Sequence, residues 1–171
     1  TDFSNGQAWY DLAIAVDPNN SNTLIVGGIN LFKSTNAGLS WTQLTHLNGG
    51  FGFQNVHSDQ HLVLYEPGNS NTIYFSSAMY TAISKTIHSV SLDGKNVTLL
   101  SPKEGYNDAS FTTGMNYFVL SHSNANTPPE ISLNKNDGSF IRSLEDNNDL
   151  KKKLAGMNLC KKEFLSFNVN G

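Results

Sequence analysis

Three side chains with metal-binding chemistry stand at alternating positions near the middle of the chain. His57, Asp59 and His61 follow the spacing i, i+2 and i+4. On a β-strand, alternate side chains project from one face, so this spacing places two imidazoles and a carboxylate side by side. Such groups bind zinc or non-haem iron. The same residues also fit a structural role, in which they line a strand edge and hydrogen-bond to backbone groups or to one another.

A second kind of chemistry needs aromatic side chains beside carboxylates. Trp9, Tyr10, Phe51 and Phe53 can form a platform on which a sugar stacks, or they can pack inside the protein. A metal-dependent or glycan-active enzyme that uses His57, Asp59 and His61 is therefore one function that these residue types permit.

The sequence contains no recognisable motif for nucleophilic catalysis. The single cysteine, Cys160, has no identifiable His or Asn partner, and no G-x-S-x-G nucleophile elbow occurs. We therefore expect no catalytic triad, no catalytic residue and no bound cofactor, apart from the zinc or iron that the central trio permits.

Charge and hydropathy argue against two classes of partner. The formal net charge is −3, and the lysines near the C-terminus stand without interleaved aromatic residues, so a nucleic-acid partner is not expected. No run of about 18 apolar residues is present, so we predict no membrane span. The expected partner is a protein, a peptide or a glycan.

The first half of the sequence contains a repeated turn motif. An acidic residue, a proline and an Asn-rich turn occur twice, and Pro18 and Pro67 are separated by 49 residues. Each turn lies between apolar segments, which predicts hairpins that pair residues 12–16 with 23–27 and 61–65 with 72–75. The repeat matches the length of a β-propeller blade, about 40 to 50 residues.

Residues 34–41 read Ser-Thr-Asn-Ala-Gly-Leu-Ser-Trp. They resemble the Asp-box, S-x-D-x-G-x-T/S-W, of sialidase-type BNR-repeat propellers, with Asn36 in place of the usual Asp. With the segments around residues 9–18 and 56–61, the first half is similar to BNR propellers of large secreted Bacteroidetes proteins. This resemblance implies a turn between the two outer strands of a blade and an extracellular or periplasmic location. It implies no glycosidase activity, because Asp-boxes lie away from the catalytic centre in that family.

The second half consists of hairpins at 87–100, 109–122 and 130–144, followed by a helix at 149–155 that Asn148 caps and Gly156 ends, and by a last strand at 164–169. The sequences of residues 106–111, 123–129 and 154–159 resemble segments of the propeller domain of dipeptidyl peptidase IV-type serine peptidases. In that family a separate hydrolase domain carries the catalytic residues, so the resemblance implies a non-catalytic segment.

We predict an all-β fold of propeller-like antiparallel blades, with about four blade-equivalents in an incomplete or open arrangement and one short C-terminal helix. Residues 1–78 form Asp-box-like blades, 79–86 a junction and 87–171 peptidase-like blades, within one structural unit. An open arrangement leaves sheet edges that a second copy can cover, so a homodimer is one expected state.

Three functions follow from these patterns. The first is a non-enzymatic propeller-like binding or scaffold module of a secreted bacterial protein. The second is a non-catalytic part of a dipeptidyl peptidase IV-type peptidase that needs a hydrolase domain. The third is the metal-dependent or glycan-active enzyme described above.

Overall fold

The computed structural model describes residues 2–6, 12–56, 60, 62–68, 71–165 and 167. Strands are the main regular secondary structure of this part, and it contains three four-stranded sheets, which we call blades 1, 2 and 3. In each blade the four strands follow one another in sequence and pair as an antiparallel meander. This is the arrangement of a propeller blade.

Blade 1 contains β1 (Ala13–Asp17), β2 (Asn20–Gly27), β3 (Leu31–Ser34) and β4 (Thr42–Gln43). The connection to the next blade carries a short parallel pair, β5 (Thr45–His46) and β6 (Gln54–Asn55). Blade 2 contains β7 (Val63–Tyr65), β8 (Thr72–Ser77), β9 (Thr86–Ser91) and β10 (Thr98–Leu99). Blade 3 contains β11 (Tyr106–Phe111), β12 (Tyr117–Asn124), β13 (Thr127–Lys135) and β14 (Phe140–Glu145), and the helix α1 (Asn148–Ala155) follows it.

The repeated turns form the first hairpin of blade 1 and the first hairpin of blade 2. Asp17 accepts the backbone N–H of Asn19 at 2.8 Å, which is an Asx-turn that closes the β1–β2 hairpin. The Asn19 side chain then donates to the carbonyl of Pro67 at 3.3 Å. The two copies of the turn therefore lie side by side in neighbouring blades, as a blade-length repeat requires.

Two apolar cores separate the three blades. The first core lies between blades 1 and 2 and contains Ile25, Leu31, Leu44, Val56, Val63, Tyr65, Ile73, Phe75 and Val90. The second core lies between blades 2 and 3 and contains Tyr74, Ile87, Leu100, Met115, Phe118 and Leu120. Strand β8 contributes alternate residues to both cores, because successive side chains of a strand point to opposite faces. Blade 2 is thus the covered centre of the stack.

The predicted junction at 79–86 lies inside blade 2. Strands β8 and β9 pair along their whole length, from Thr72 opposite Ser91 to Ser77 opposite Thr86. Blade 2 therefore takes two strands from each half of the sequence. The hairpin predicted at 87–100 completes this blade.

The C-terminal elements differ from the prediction in two details. Helix α1 begins at Asn148, and the N-cap is Asn147 in a left-handed conformation with φ of 51°. Asn148 is therefore the first residue of the helix and not its cap. The Asn148 amide donates to the Asp146 carboxylate, and the Asn147 amide donates to the Pro129 carbonyl at 2.6 Å. Gly156 ends the helix as predicted. Residues 164, 165 and 167 of the predicted last strand are not in a strand, and the others lie outside the described residues.

The predicted all-β architecture of propeller-like antiparallel blades with one short C-terminal helix is confirmed. In the part of the chain that the structure describes, no helix has the length and apolar character needed to cross a membrane.

Candidate functional site

The predicted metal ligands His57, Asp59 and His61 lie outside the described residues, so the zinc or iron site stays a prediction. Their neighbour Gln60 is buried, and its backbone N–H donates to the carbonyl of Gly28 at 3.3 Å. Among the residues that the structure describes, no group of three His, Cys, Asp or Glu side chains is close enough to hold a metal ion.

Two members of the predicted aromatic platform lie together. Phe51 is 93% exposed at the tip of the loop between β5 and β6, with a φ of 53°. The His46 ring lies 6.2 Å from the Phe51 ring and 6.5 Å from the Phe53 ring. Trp9 and Tyr10 lie outside the described residues. In the described part of the platform, Phe51 is thus exposed on a loop whose aromatic neighbour is His46.

The Asn36 turn forms the hydrogen bonds expected of an Asp-box. The Asn36 Oδ1 atom accepts the Ser40 N–H at 2.8 Å and the Ser34 hydroxyl at 2.9 Å. The Trp41 indole donates to the Gly38 carbonyl at 3.0 Å, and its ring packs edge-on against Phe3. The three hydrogen bonds close the turn between β3 and β4, and the Phe3 contact packs the turn against the N-terminal segment. The motif therefore has a structural role here.

A cleft of about 690 Å³ lies beside the start of β11. It is bounded by the loop that joins β8 to β9, by the segment that leads into β11, by the tip of the β12–β13 hairpin and by the C-terminal tail. Its volume lies within the range of about 300 to 1,000 Å³ that is common for ligand sites. The lining residues are Thr81, Ile83, Ser84, Glu104, Gly105, Tyr106, Ser123, Asn124, Ala125, Asn126, Thr127 and Phe164.

A buried polar network holds the base of this cleft in place. Asn107 is fully buried, and its amide donates to the carbonyls of Lys85 at 2.8 Å and Pro102 at 3.0 Å. Because the Asn107 oxygen can only accept, the His122 ring donates to it from Nδ1, at 2.9 Å. Every polar atom of the Asn107 side chain is therefore satisfied, which fixes β11 against β12 and against the start of β9.

Gly105 lets the backbone pass close to the neighbouring strand at the cleft wall. Its φ is +79°, and a Cβ atom at this position would lie 2.4 Å from the carbonyl oxygen of Ser123. Any larger residue would push β11 away from β12. The cleft is therefore built on a close backbone approach that only glycine allows.

The charges around the cleft leave one acidic group free. Lys85 forms an ion pair with Asp108 at 2.9 Å, and its ammonium group lies 5.0 Å from the centre of the Tyr106 ring. Glu104 has no ion pair or hydrogen bond among the described residues.

The chain's own tail lies at the cleft. The Asn126 side chain accepts the backbone N–H of Lys162 at 2.8 Å and donates to the carbonyl of the same residue at 3.0 Å. Phe164, two residues further on, lines the cleft and remains 65% exposed. We call this two-point contact the Asn126 clamp.

A buried histidine lies between blades 1 and 2. The His88 ring stacks on Phe75 at 5.3 Å, and its Nε2 atom lies 2.8 Å from the Thr86 hydroxyl. Since that hydroxyl donates to the Ser77 carbonyl, Nε2 carries the proton and donates to Thr86. Among the described residues Nδ1 has no partner. Burial lowers the pKa of His88 to about 4, so the ring is neutral at physiological pH.

Neither the cleft nor the Asn126 clamp is predictable from the sequence. Asn126 and Lys162 are 36 residues apart, and neither stands in a motif with known chemistry. The only local signal was the Asn-rich hairpin tip at 124–126, which predicts a turn rather than a binding group.

Residues 55–129 match the family described as "Dipeptidyl peptidase IV (DPP IV) N-terminal region". The matched region begins before the predicted junction at 79–86 and ends within β13. The predicted resemblance of the C-terminal half to dipeptidyl peptidase IV-type propellers is thus confirmed. The Asn36 turn lies outside this region, and the resemblance of the first half to BNR-repeat proteins stays a prediction.

The chain is also similar to segments of longer curated proteins. The chain is 31% identical over 106 residues to "Probable dipeptidyl-aminopeptidase B" of Arthroderma benhamiae, covering 60% of this chain and 12% of the relative. It is 36% identical over 85 residues to the protein of the same name from Fusarium vanettenii, covering 47% of this chain and 9% of that relative. The chain therefore spans a small part of the length of these relatives.

Solved structures share the fold. The "Crystal structure of Porphyromonas gingivalis dipeptidyl peptidase 4" superposes with a TM-score of 0.66 and 23% identity, over 84% of this chain and 20% of that one. "The structure of putative TolB from Agrobacterium tumefaciens" superposes with a TM-score of 0.54 and 17% identity, over 78% of this chain and 50% of that one. At these identities the likeness concerns the fold alone.

Proposed function

We propose that this chain is a non-enzymatic propeller segment of the dipeptidyl peptidase IV type, which acts as a scaffold by stacking its open blade faces on further blades. The observation that carries this proposal is the apolar stripe on blade 1, formed by Leu12, Ile14 and Val16. All three side chains are exposed, and Ile14 is 64% accessible to solvent. They project from the face opposite Ala13 and Ala15, which pack on the first core.

The occupant that fits this stripe is another blade of the same kind. Within the molecule, blades 1, 2 and 3 already stack through alternate apolar residues of their strands. Isolated apolar side chains are common on protein surfaces, but two at alternate positions of β1 and a third, Leu12, directly before it form an apolar strip. When the chain is alone in solution, the blade that covers the strip is supplied by a second copy.

The second reading, a non-catalytic part of a dipeptidyl peptidase IV-type peptidase, is compatible with this role and draws support from the match of residues 55–129. The sequence contains no G-x-S-x-G nucleophile elbow. We propose that the chain by itself hydrolyses no dipeptide substrate and that peptidase activity needs a hydrolase domain. A chromogenic dipeptide anilide tests this: release of chromophore above the buffer rate by the purified chain would contradict it.

The scaffold proposal is tested by light scattering on a size-exclusion column. We expect the wild-type chain to give a concentration-dependent mass that approaches a dimer, and Ile14→Lys to give the monomer mass of 18.7 kDa. Leu39→Lys is the matched control, because Leu39 is 87% exposed on the Asn36 turn and does not belong to the stripe. It should associate as the wild type does. A wild-type chain that stays monomeric, or an Ile14→Lys variant that still associates, would contradict the proposal.

The third reading, an enzyme that uses His57, Asp59 and His61, can be tested on the same column. Stoichiometric zinc or iron in the protein peak, lost in a His57→Ala and His61→Ala double variant, would favour it over the scaffold. An extracellular or periplasmic location forms part of our proposal and draws on the family resemblance.

A further inference from the structure

We propose that the cleft beside β11 binds an extended peptide that carries an aromatic residue two positions after the residue held by Asn126, and that the chain's own tail occupies this site in exchange with such peptides. The site is separate from the apolar stripe on blade 1. The two proposals therefore succeed or fail independently.

The Asn126 clamp recognises backbone rather than a particular side chain. It satisfies both the N–H and the carbonyl of Lys162, at 2.8 and 3.0 Å, which are the two groups that a neighbouring β-strand would pair. The amide of one side chain thus takes the place of a strand partner. Any extended segment can present the same pair of groups, because every residue except proline carries both.

The cleft supplies the selectivity that the clamp lacks. Phe164 stands two residues after the clamped position, so in an extended chain its side chain lies on the same side as that of Lys162. Its ring lines a cleft that also contains Ile83 and Tyr106. These groups favour an aromatic side chain.

The tail is a weakly held occupant. Helix α1 has no buried residue, and the described residues 157–165 are all exposed. Lys151 pairs with Glu130, which ties the helix to β13. Beyond the helix, and among the described residues, the tail is hydrogen-bonded to the blade through the Asn126 clamp. Since Phe164 leaves much of its surface in solvent, it can leave the cleft without exposing a core.

A labelled peptide tests the proposal on the full chain. The probe is a fluorescent peptide with the sequence of residues 159–165 and serine in place of Cys160, and binding is followed by fluorescence anisotropy. A tethered occupant competes at an effective concentration on the order of millimolar, so the wild-type chain should bind this peptide weakly.

Two variants shift the affinity in opposite directions. Phe164→Ala weakens the resident tail and leaves the cleft intact, so we expect it to bind the peptide about tenfold more tightly than the wild type. Asn126→Ala in the Phe164→Ala background, where the tail no longer competes, removes two hydrogen bonds from the peptide and should weaken binding by about tenfold relative to Phe164→Ala alone. Phe167→Ala is the matched control, since Phe167 is an exposed aromatic residue of the tail that does not line the cleft.

The opposite signs separate a binding site from a general loss of structure. A variant that simply unfolds would lower the affinity in both cases. The proposal is overturned if Phe164→Ala binds no better than the wild type, or if adding Asn126→Ala to Phe164→Ala leaves the affinity unchanged. It is also overturned if a peptide with alanine at the position of Phe164 binds as tightly as the original.

Discussion

At the scale of single residues, the buried His88 makes the stability of the fold depend on pH. Its imidazole is buried against Phe75 and Tyr80, and burial lowers its pKa from 6.5 to about 4. The unfolded chain therefore binds more protons than the folded chain between these two values. This contribution to stability is fully present above pH 6.5 and is lost as the pH falls towards 4.

We expect the free energy of unfolding to fall by about 2 to 3 kcal/mol through this group as the pH is lowered across that window. Urea unfolding at a series of pH values measures the effect. His88→Phe keeps a stacking ring without a titrating nitrogen and should flatten the dependence. An equally steep pH dependence in His88→Phe would contradict this assignment.

At the scale of single elements, the turns of this chain depend on side-chain amides. In the turn between β3 and β4, Asn36 accepts from Ser40 and Ser34 and donates to the Ser40 hydroxyl at 2.8 Å. Asn19 and Asn126 make contacts of the same kind between segments that are distant in sequence. The many asparagines of the chain thus join elements as well as closing turns.

We expect Asn36→Ala to lower the free energy of unfolding by about 1 to 2 kcal/mol, because the turn loses its acceptor. Asn36→Asp should retain the stability, since the carboxylate still accepts from Ser40 and Ser34. Trp41 fluorescence in a urea titration reports on both variants. If alanine and aspartate at this position destabilise equally, the turn does not rest on the acceptor at residue 36.

At the scale of the whole molecule, stability should be highest in the central blade. Strand β8 is buried along almost its full length, whereas every residue of β14 is exposed. In a stack of sheets each unit contacts only its neighbours, so the outer blades lose their protection first. We expect amide hydrogen exchange to be slowest in β8 and β9 and fastest in β14.

Two core substitutions test the division into separate interfaces. Phe75 and Phe118 are both fully buried, the first between blades 1 and 2 and the second between blades 2 and 3. Each change to alanine should cost about 3 to 5 kcal/mol. Phe75→Ala should speed exchange in blade 1 more than in blade 3, and Phe118→Ala should do the reverse. Identical exchange patterns in the two variants would show that the stack opens as one unit.

Local chemistry made most of the elements predictable from the sequence. The repeated turn around Pro18 and Pro67 and the Asp93-Gly94 hairpin need particular backbone conformations, and few residue types adopt them. The alternation of apolar residues then identified the strands. The candidate site was harder to predict from the sequence, because the cleft joins four segments that share no motif. The predicted trio of His57, Asp59 and His61 lies outside the described residues.

The sequence by itself determined the hairpins, the turns and the blade-length repeat, because each depends on residues close together in the chain. Only the tertiary structure decided that the hairpin after residue 86 completes blade 2, and that Asn126 meets Lys162 across 36 residues. The reason is physical. Backbone groups at a strand edge pair with any other strand, and an apolar face packs on any other apolar face, so the choice of partner is made by the three-dimensional packing of the whole chain.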